Sequence, residues 1–117
     1  MTGARRLPGA ECAQVECRKV IDYLLATAHP DGGPKARFFL ARGARADAWE
    51  VFAETLVEHA LMNPVAGVRE DPAGRARLFQ IDCHVRMPDD SVPCIRTVWE
   101  LRAGARFPRL VTAYPAT

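Results

Sequence analysis

The sequence contains no long apolar run. Nothing in its 117 residues approaches the roughly 18 consecutive apolar residues that a membrane-spanning helix needs. The N-terminal stretch MTGARRLPGAECAQVECRK has two arginines near its start but no apolar central region, so it does not resemble a secretory signal peptide. We therefore expect no contact with a membrane and a cytoplasmic location.

The sequence also lacks the common catalytic motifs. It has no Gly-x-Ser-x-Gly, P-loop, Gly-x-Gly-x-x-Gly or His-Glu-x-x-His pattern. Acyl transfer, nucleotide hydrolysis by a Walker fold, hydride transfer and zinc proteolysis are therefore disfavoured. Glu50, Glu54 and Glu58 repeat at helical spacing, which is more typical of a solvated helix face than of a metal site. We expect no metal and no cofactor.

Cysteine is present but not in a metal-binding pattern. The four cysteines, Cys12, Cys17, Cys83 and Cys94, form no Cys-x-x-Cys pair. A zinc site is therefore not expected. Cys83 lies on the apolar side of an alternating run and fits a buried thiol, although a Cys83–Cys94 bridge across a hairpin stays open.

The net charge is small, but the charged residues are unevenly distributed. The net charge is +2, which does not indicate a nucleic-acid-binding protein by itself. Residues 1–45 carry eight basic against four acidic residues, residues 46–74 one against six, and residues 75–117 seven against four. The two ends of the chain would form a basic surface if the fold brings them together.

The first half of the chain shows helical periodicity. Cys17, Val20, Ile21, Leu24 and Ala28 share one stripe, which predicts a helix from Glu16 to the residue before His29. Pro34 and Gly43 suit the start and the C-terminal cap of a second helix. Asp47 and Glu50 resemble a capping box for a third helix, which Asn63-Pro64 ends. The apolar face of the third helix is predicted to comprise Trp49, Phe52, Ala53, Leu56, Ala60 and Leu61, with His59 at its border.

After Pro64 the period changes to two. Four strands are predicted, within VAGVRE, RLFQIDCHVRM, CIRTVWELR and RLVTAYP, and short turns join them. The expected fold is α+β, with three N-terminal helices packed on one face of a four-stranded antiparallel sheet. Residues 1–14 are expected to form a flexible tail, and residues 15–117 a single domain. The other face of such a sheet can stay in contact with water and carry a site.

The segment HPDGGPKARFF, residues 29–39, is the first candidate site. Pro30 and Pro34 stiffen the turn around His29, which is suited to acid–base chemistry at neutral pH. Gly32 and Gly33 allow a tight backbone path or close approach to a ligand. Backbone N–H groups and Lys35 at a helix start would suit a phosphate. A plain helix–turn–helix corner with a solvated lysine explains the same spacing.

The sheet supplies the second group of candidates. Cations, a hydroxyl and a phenol on one sheet face would suit RNA phosphate binding and base stacking. The same residue types also occur on any solvated sheet face. The candidates are His84, Arg86, Arg96, Arg109, Thr112 and Tyr114.

Three stretches together carry a family resemblance: IDYLLATAHPDGGPKARFFLARG, RTVWELR and PRLVTAYP. They resemble an uncharacterised bacterial domain family that is found alone and at the ends of polymorphic toxins. The resemblance covers about residues 15 to 115. That family in turn is similar to the BECR superfamily of RNases, the barnase, EndoU, colicin and RelE group, whose members place N-terminal helices against a four-stranded antiparallel sheet.

The resemblance implies a metal-independent ribonuclease toxin or toxin-derived domain that acts on RNA, with tRNA as one candidate. His29 would be the acid or the base, and Arg109 and Thr112 would contact the scissile phosphate. Lys35 is the fourth residue with an implied catalytic role. Lys35 and Arg37 would hold phosphate from the helix start. Substrate binding is assigned to Gly32, Arg37, His84, Arg86, Arg96 and Tyr114. Trp99 is expected in the core. A cognate antitoxin or immunity protein is a further expected partner.

The alternative is a non-catalytic protein-interaction module, such as an antitoxin-like or phage-encoded inhibitor protein. Geometry separates the two functions. Catalysis requires His29 or Lys35 to lie within about 6–8 Å of Arg109 or Thr112, so that both can reach one phosphate. An interaction module would instead expose a continuous apolar or acidic patch, for which the third helix is the candidate.

Overall fold

The chain folds into an α+β domain in a computed structural model that describes residues 5–31 and 33–116. The helices are α1 (Cys17–Lys19), which continues as a π-helical turn over Val20–Leu24, α2 (Gly33–Leu40) and α3 (Trp49–Met62). The strands are β1 (Gly67–Glu70), β2 (Ala76–His84), β3 (Cys94–Arg102) and β4 (Arg109–Pro115). Short 3₁₀ turns occupy Ala10–Cys12 and Ala46–Ala48.

The four strands form one antiparallel sheet in the order β1-β2-β3-β4. The α+β class and the four-stranded antiparallel sheet are confirmed. The packing of all three helices on one face is not confirmed, because α3 contacts β2 and β3 while α1 and α2 contact the edge strand β4. The first two helices thus lie beside β4 and contact residues of this strand.

A bulge in β4 sets which of its side chains face outward. Val98 pairs with Thr112, but Trp99 pairs with Leu110, so Val111 is an extra residue in β4. Leu110 and Ala113 are therefore both buried although they lie three residues apart. Beyond the bulge, Thr112 joins Val98 on the open face of the sheet.

The core lies between the buried face of the sheet and the π turn, α2 and α3, which all contribute buried side chains to it. Its largest buried side chains include Trp99, Phe39, Phe52 and Phe79, which confirms the placement of Trp99. His59 is also fully buried, and it bridges α3 to the sheet. Its Nδ1 lies 3.0 Å from Oγ1 of Thr97, and its Nε2 lies 3.0 Å from the carbonyl oxygen of Cys83.

The first predicted helix differs from the structure. Its regular part is short, and the π turn closes with a bond from the Leu25 N–H to the Val20 carbonyl (2.8 Å). The extra residue in the π turn rotates the following residues about the helix axis, and Leu25 is therefore buried. Ile21 is 37% exposed, and Cys17 and Ala28 are exposed, although all three were predicted on the buried stripe.

Two predictions for α3 are also wrong. Asp47 does not cap the helix, because its carboxylate pairs with Arg45 (2.7 Å) and Ala48 occupies the cap position. Leu61 was placed on the apolar face but is 48% exposed. The end of the helix at Asn63-Pro64 is confirmed.

Part of the segment predicted as a flexible tail packs on the domain. Leu7 and Ala10 are buried in the core cluster. Gln14 bridges Arg109, because its N–H bonds the Pro108 carbonyl and its carbonyl accepts from the Leu110 N–H, both at 2.9 Å. Residues before the predicted boundary thus cover the start of the β4 edge.

Candidate functional site

Side chains from three segments meet at the β4 edge of the sheet. Lys35 Nζ donates hydrogen bonds to the Tyr23 hydroxyl and, over 3.2 Å, to Oγ1 of Thr112. The Tyr23 hydroxyl in turn lies 3.1 Å from Oγ1 of Thr112. We call these three residues the Lys35 cluster. It joins the start of α2 to the last strand, as the catalytic hypothesis requires.

The turn before α2 positions Lys35 through a close backbone approach. The Gly33 N–H donates to the His29 carbonyl (2.8 Å). A Cβ on Gly33 would lie 2.7 Å from the Thr27 carbonyl oxygen, which is closer than real Cβ contacts. Glycine is therefore required here for packing, as expected for this turn. Gly32, assigned to substrate binding, lies outside the described residues.

His29 lies next to the cluster through Tyr23. The two rings meet edge to face with centroids 5.0 Å apart. His29 Nδ1 accepts a hydrogen bond from the Asp31 backbone N–H (3.0 Å). The Nε2 atom of the neutral ring then carries the proton. The histidine therefore contacts the cluster through the ring of Tyr23.

Two more residues extend the site onto the open sheet face. Tyr114 lies beside the cluster, with its ring centroid 5.4 Å from Lys35 Nζ. The Arg96 guanidinium lies 5.7 Å from the same centroid, and its NH1 is 3.5 Å from the Tyr114 hydroxyl. An aromatic ring with two cations nearby suits stacking against a base near a phosphate.

Asp82 holds Arg96 in place through a bidentate ion pair. Arg96 Nε and NH2 lie 2.7 and 3.0 Å from the two carboxylate oxygens of Asp82. Gln80 Nε2 also donates to Asp82, over 3.2 Å. The planar Arg–carboxylate geometry limits the movement of both side chains.

The electrostatics of the site follow from these bonds. Burial raises the pKa of Tyr23, but hydrogen bonds with Lys35 and Thr112 and the charges of Lys35 and Lys19 outweigh it, so the pKa lies below its ordinary value of 10.0. The hydrogen bond from Arg96 holds the pKa of Asp82 below its ordinary value, and the same pairing raises the pKa of Arg96. The site therefore keeps Arg96 charged and lowers the pH at which the Tyr23 hydroxyl loses its proton.

Other candidates from the sequence have different surroundings. Arg109 shares the open face, but its guanidinium lies 3.7 Å from Glu16 and 3.8 Å from Glu100. Arg86 lies beyond the end of β2 and pairs with Asp90 (3.6 Å). His84 is exposed at the end of β2, with Nδ1 3.9 Å from Cys83 Sγ, and Arg37 is exposed on α2.

Sequence reasoning missed Tyr23, Asp82 and Gln80 as site residues. Tyr23 lies outside the predicted buried stripe of the first helix, and no motif marks it. Asp82 and Gln80 alternate with the buried residues of β2 and so lie on its polar side, but no motif marks them. The partner of Asp82 is visible only from the strand register, which pairs it with Arg96.

Other sites can be assessed only in the described part of the chain. Among residues 5–31 and 33–116, no three His, Cys, Asp or Glu side chains are grouped to hold a metal ion. In the same residues, no helix has the length and apolar character to cross a membrane. Cys83 and Cys94, both described, are free thiols, so the bridge that stayed open does not form.

The fold is shared with a solved structure. One chain of the contact-dependent growth inhibition toxin–immunity protein complex from Klebsiella pneumoniae 342 matches with a TM-score of 0.69 and 15% sequence identity. The match covers 87% of this chain and 98% of that chain. No curated protein matches the sequence significantly.

A family model does match nearly the whole sequence. The match runs from residue 6 to residue 117 and therefore includes every residue of the Lys35 cluster, His29 and both strands that carry Arg96 and Tyr114. The family is described only as a domain of unknown function, so it identifies no activity. On this match, the chain belongs to the DUF6883 family.

Proposed function

We propose that this domain is a toxin-related, metal-independent endoribonuclease. The observation that carries the proposal is the 3.2 Å contact between Lys35 Nζ and Thr112 Oγ1. It places a cation from the helix start and a hydroxyl from the last strand within reach of one phosphate. The finer relation to BECR ribonucleases is part of this proposal, supported by the antiparallel sheet and by the order of the elements.

The chemistry assigned to the site is internal transesterification of RNA. A base takes the proton of the 2′-hydroxyl, whose oxygen attacks phosphorus. The bond to the 5′-oxygen breaks, and an acid protonates that oxygen. The products are a 2′,3′-cyclic phosphate and a 5′-hydroxyl.

The residues around the cluster suit these steps. The Lys35 ammonium and the Thr112 hydroxyl would stabilise the charge of the pentacoordinate phosphate. Lys35 has three N–H donors, and within the described residues the cluster uses two, which leaves one for a phosphate oxygen. His29 and Tyr23 are the candidates for acid and base, since they contact each other beside Lys35. Arg109 would approach the phosphate from the start of β4.

The toxin-related role is supported by the fold. The similar chain comes from a contact-dependent growth inhibition toxin–immunity protein complex. A cognate immunity protein or antitoxin is therefore the protein partner that we propose, and cytoplasmic RNA is the proposed substrate.

A second candidate function, the interaction module, is favoured by one observation on α3. An apolar groove of about 500 Å³ runs along this helix, with three glutamates among its lining residues. Its lining residues are Ala13, Val15, Trp49, Glu50, Ala53, Glu54, Val57, Glu58 and Leu61. An acidic apolar groove suits a basic protein partner, whether or not the domain cleaves RNA.

Cleavage of RNA in the presence of EDTA tests the nuclease. The purified domain is incubated with total RNA and with tRNA, beside Lys35→Ala and an Arg45→Ala control. The Arg45→Ala variant also removes one cation. Arg45, however, is exposed and pairs with Asp47 away from the cluster. We expect cleavage to cyclic phosphate ends by the wild type and the control, and a loss of at least about 100-fold in Lys35→Ala. A folded wild type that cleaves neither RNA contradicts the nuclease and favours the interaction module.

A further inference from the structure

A groove on the open sheet face continues from the Lys35 cluster. It has a volume of about 330 Å³, at the lower end of the range for small-ligand sites. Tyr114, which lies beside Lys35, forms one end of the groove. The lining residues are Gly67, Val68, Arg69, Leu78, Gln80, Val98 and Tyr114.

The strand register connects this groove to the cluster. Thr112 pairs with Val98, Val98 pairs with Gln80, and Gln80 pairs with Gly67. Neighbouring strands lie about 4.8 Å apart, so Gln80 is about 10 Å from the backbone of Thr112. The base of a nucleotide whose phosphate contacts Lys35 and Thr112 could therefore reach Gln80.

The groove has the surfaces that a nucleobase requires. Val98 and Leu78 provide apolar side chains on the floor, and the half-buried Tyr114 provides an aromatic ring. Arg69 is exposed on β1 and supplies a cation at the far end. Base stacking on aromatic side chains with cations nearby is the usual arrangement in proteins that bind single-stranded RNA.

Gln80 supplies the side-chain amide of the groove, and its orientation is fixed. The Asp82 carboxylate, which only accepts, faces Nε2 of Gln80 (3.2 Å) and is itself held by Arg96. A reversed amide would place its oxygen against the carboxylate, so that orientation is disfavoured. Gln80 thus keeps its carbonyl oxygen and its second N–H for a ligand in one orientation.

We propose that the groove is a base-selective nucleotide subsite, in which one base stacks on Tyr114 and its edge pairs with the side-chain amide of Gln80. This subsite rests on the proposed function, because the phosphate of the same nucleotide would lie in the Lys35 cluster. Asp82 is a positioning residue, since it acts on the base only through the orientation of Gln80.

The test measures binding without cleavage. Dinucleotides with a 2′-O-methyl group on the first ribose cannot be cut, and the set covers all four bases at each position. Their affinities are measured by NMR titration for the wild type, Gln80→Ala, Asp82→Asn and a Gln14→Ala control. Gln14→Ala is the same substitution at an exposed glutamine on the opposite side of β4.

We expect the wild type and Gln14→Ala to prefer one base at one position by at least about fivefold, the lower limit for a good bidentate contact. Gln80→Ala should reduce that preference to less than about twofold. Asp82→Asn should weaken it while binding persists, because an asparagine can face either end of the Gln80 amide.

The outcomes separate this proposal from the nuclease. Base preference that depends on Gln80 supports the subsite even if no RNA is cleaved. Equal affinity for all bases, a preference unchanged in folded Gln80→Ala, or no binding of any dinucleotide overturns it, even if the domain cleaves RNA at Lys35.

Discussion

The ammonium nitrogen of Lys35 lies 3.2 Å from the hydroxyl oxygen of Thr112, although 77 residues separate them in the sequence. Tyr23 contacts both. The contact connects the start of α2 with the edge strand β4, two elements that have no other polar side chains joined so directly among the described residues. It is therefore the point at which coupling between the two halves of the proposed site can be measured.

We predict strong coupling between Lys35 and Thr112. Lys35→Met and Thr112→Val remove the two partners separately, and the double variant removes both. If both act on one phosphate, the cleavage rate of the double variant should be close to that of the slower single variant, because the second change removes a contact already lost. The rates are measured with one RNA substrate in EDTA.

The free energy of unfolding of the wild type, the two single variants and the double variant provides the control. A partly buried charge-assisted hydrogen bond should give a coupling of about 0.5–1.5 kcal/mol in the free energy of urea unfolding. If the loss of cleavage rate in the double variant equals the product of the losses in the two single variants, the two side chains do not act on the same phosphate.

A second prediction concerns the titration of Tyr23. Its pKa is lowered, so tyrosinate should form at a lower pH than in a model phenol. The chain has two tyrosines, and ultraviolet absorbance of Tyr114→Phe isolates Tyr23. Lys35→Met should move this titration to higher pH, because it removes both a hydrogen bond and the nearest positive charge.

The surroundings of Tyr23 define the controls for this titration. The groups that face it are Lys35 from α2, Lys19 from α1, the hydroxyl of Thr112 and the ring of His29. Lys19→Met should cause a smaller shift in the same direction, since Lys19 contributes only its charge. A Tyr23 titration that is unchanged in Lys35→Met would contradict the hydrogen bond between them.

The sheet was largely predictable, but the outward position of Thr112 was not. The alternation in CIRTVWELR and RLVTAYP predicts β3 and β4 at the residues where the structure has them. Strict alternation, however, would place Arg109 and Thr112 on opposite faces. The bulge brings both to the open face, and bulges follow from cross-strand packing that a single strand does not show.

The site was predictable where the turn chemistry is local. The prolines and glycines of HPDGGPK predict a tight turn before a helix, and Gly33 does make a close approach there. The position of Tyr23 was not predictable, because it depends on a π turn that rotates the helix. Such a turn is stabilised by tertiary packing, here by the burial of Leu24 and Leu25.

The last prediction concerns the buried bonds of His59. Nε2 faces the Cys83 carbonyl, which only accepts, so Nε2 carries the proton and Nδ1 accepts from the Thr97 hydroxyl. The Thr97 oxygen accepts in turn from Trp99 Nε1 (2.9 Å). Thr97→Val should leave two buried polar atoms without partners and cost about 2–5 kcal/mol of unfolding free energy. Urea denaturation measures this loss.

The same network predicts how stability depends on pH. Burial lowers the pKa of His59, so the unfolded chain binds this proton at a higher pH than the folded chain does. The contribution of His59 to stability should therefore be constant above about pH 6.5 and fall as the pH drops below it, by at most about 1.4 kcal/mol per pH unit. His59→Gln should flatten this part of the curve, and His84→Gln, the same substitution at an exposed histidine, is the matched control. A slope that is equal in wild type and folded His59→Gln would show that a different group controls the acid sensitivity.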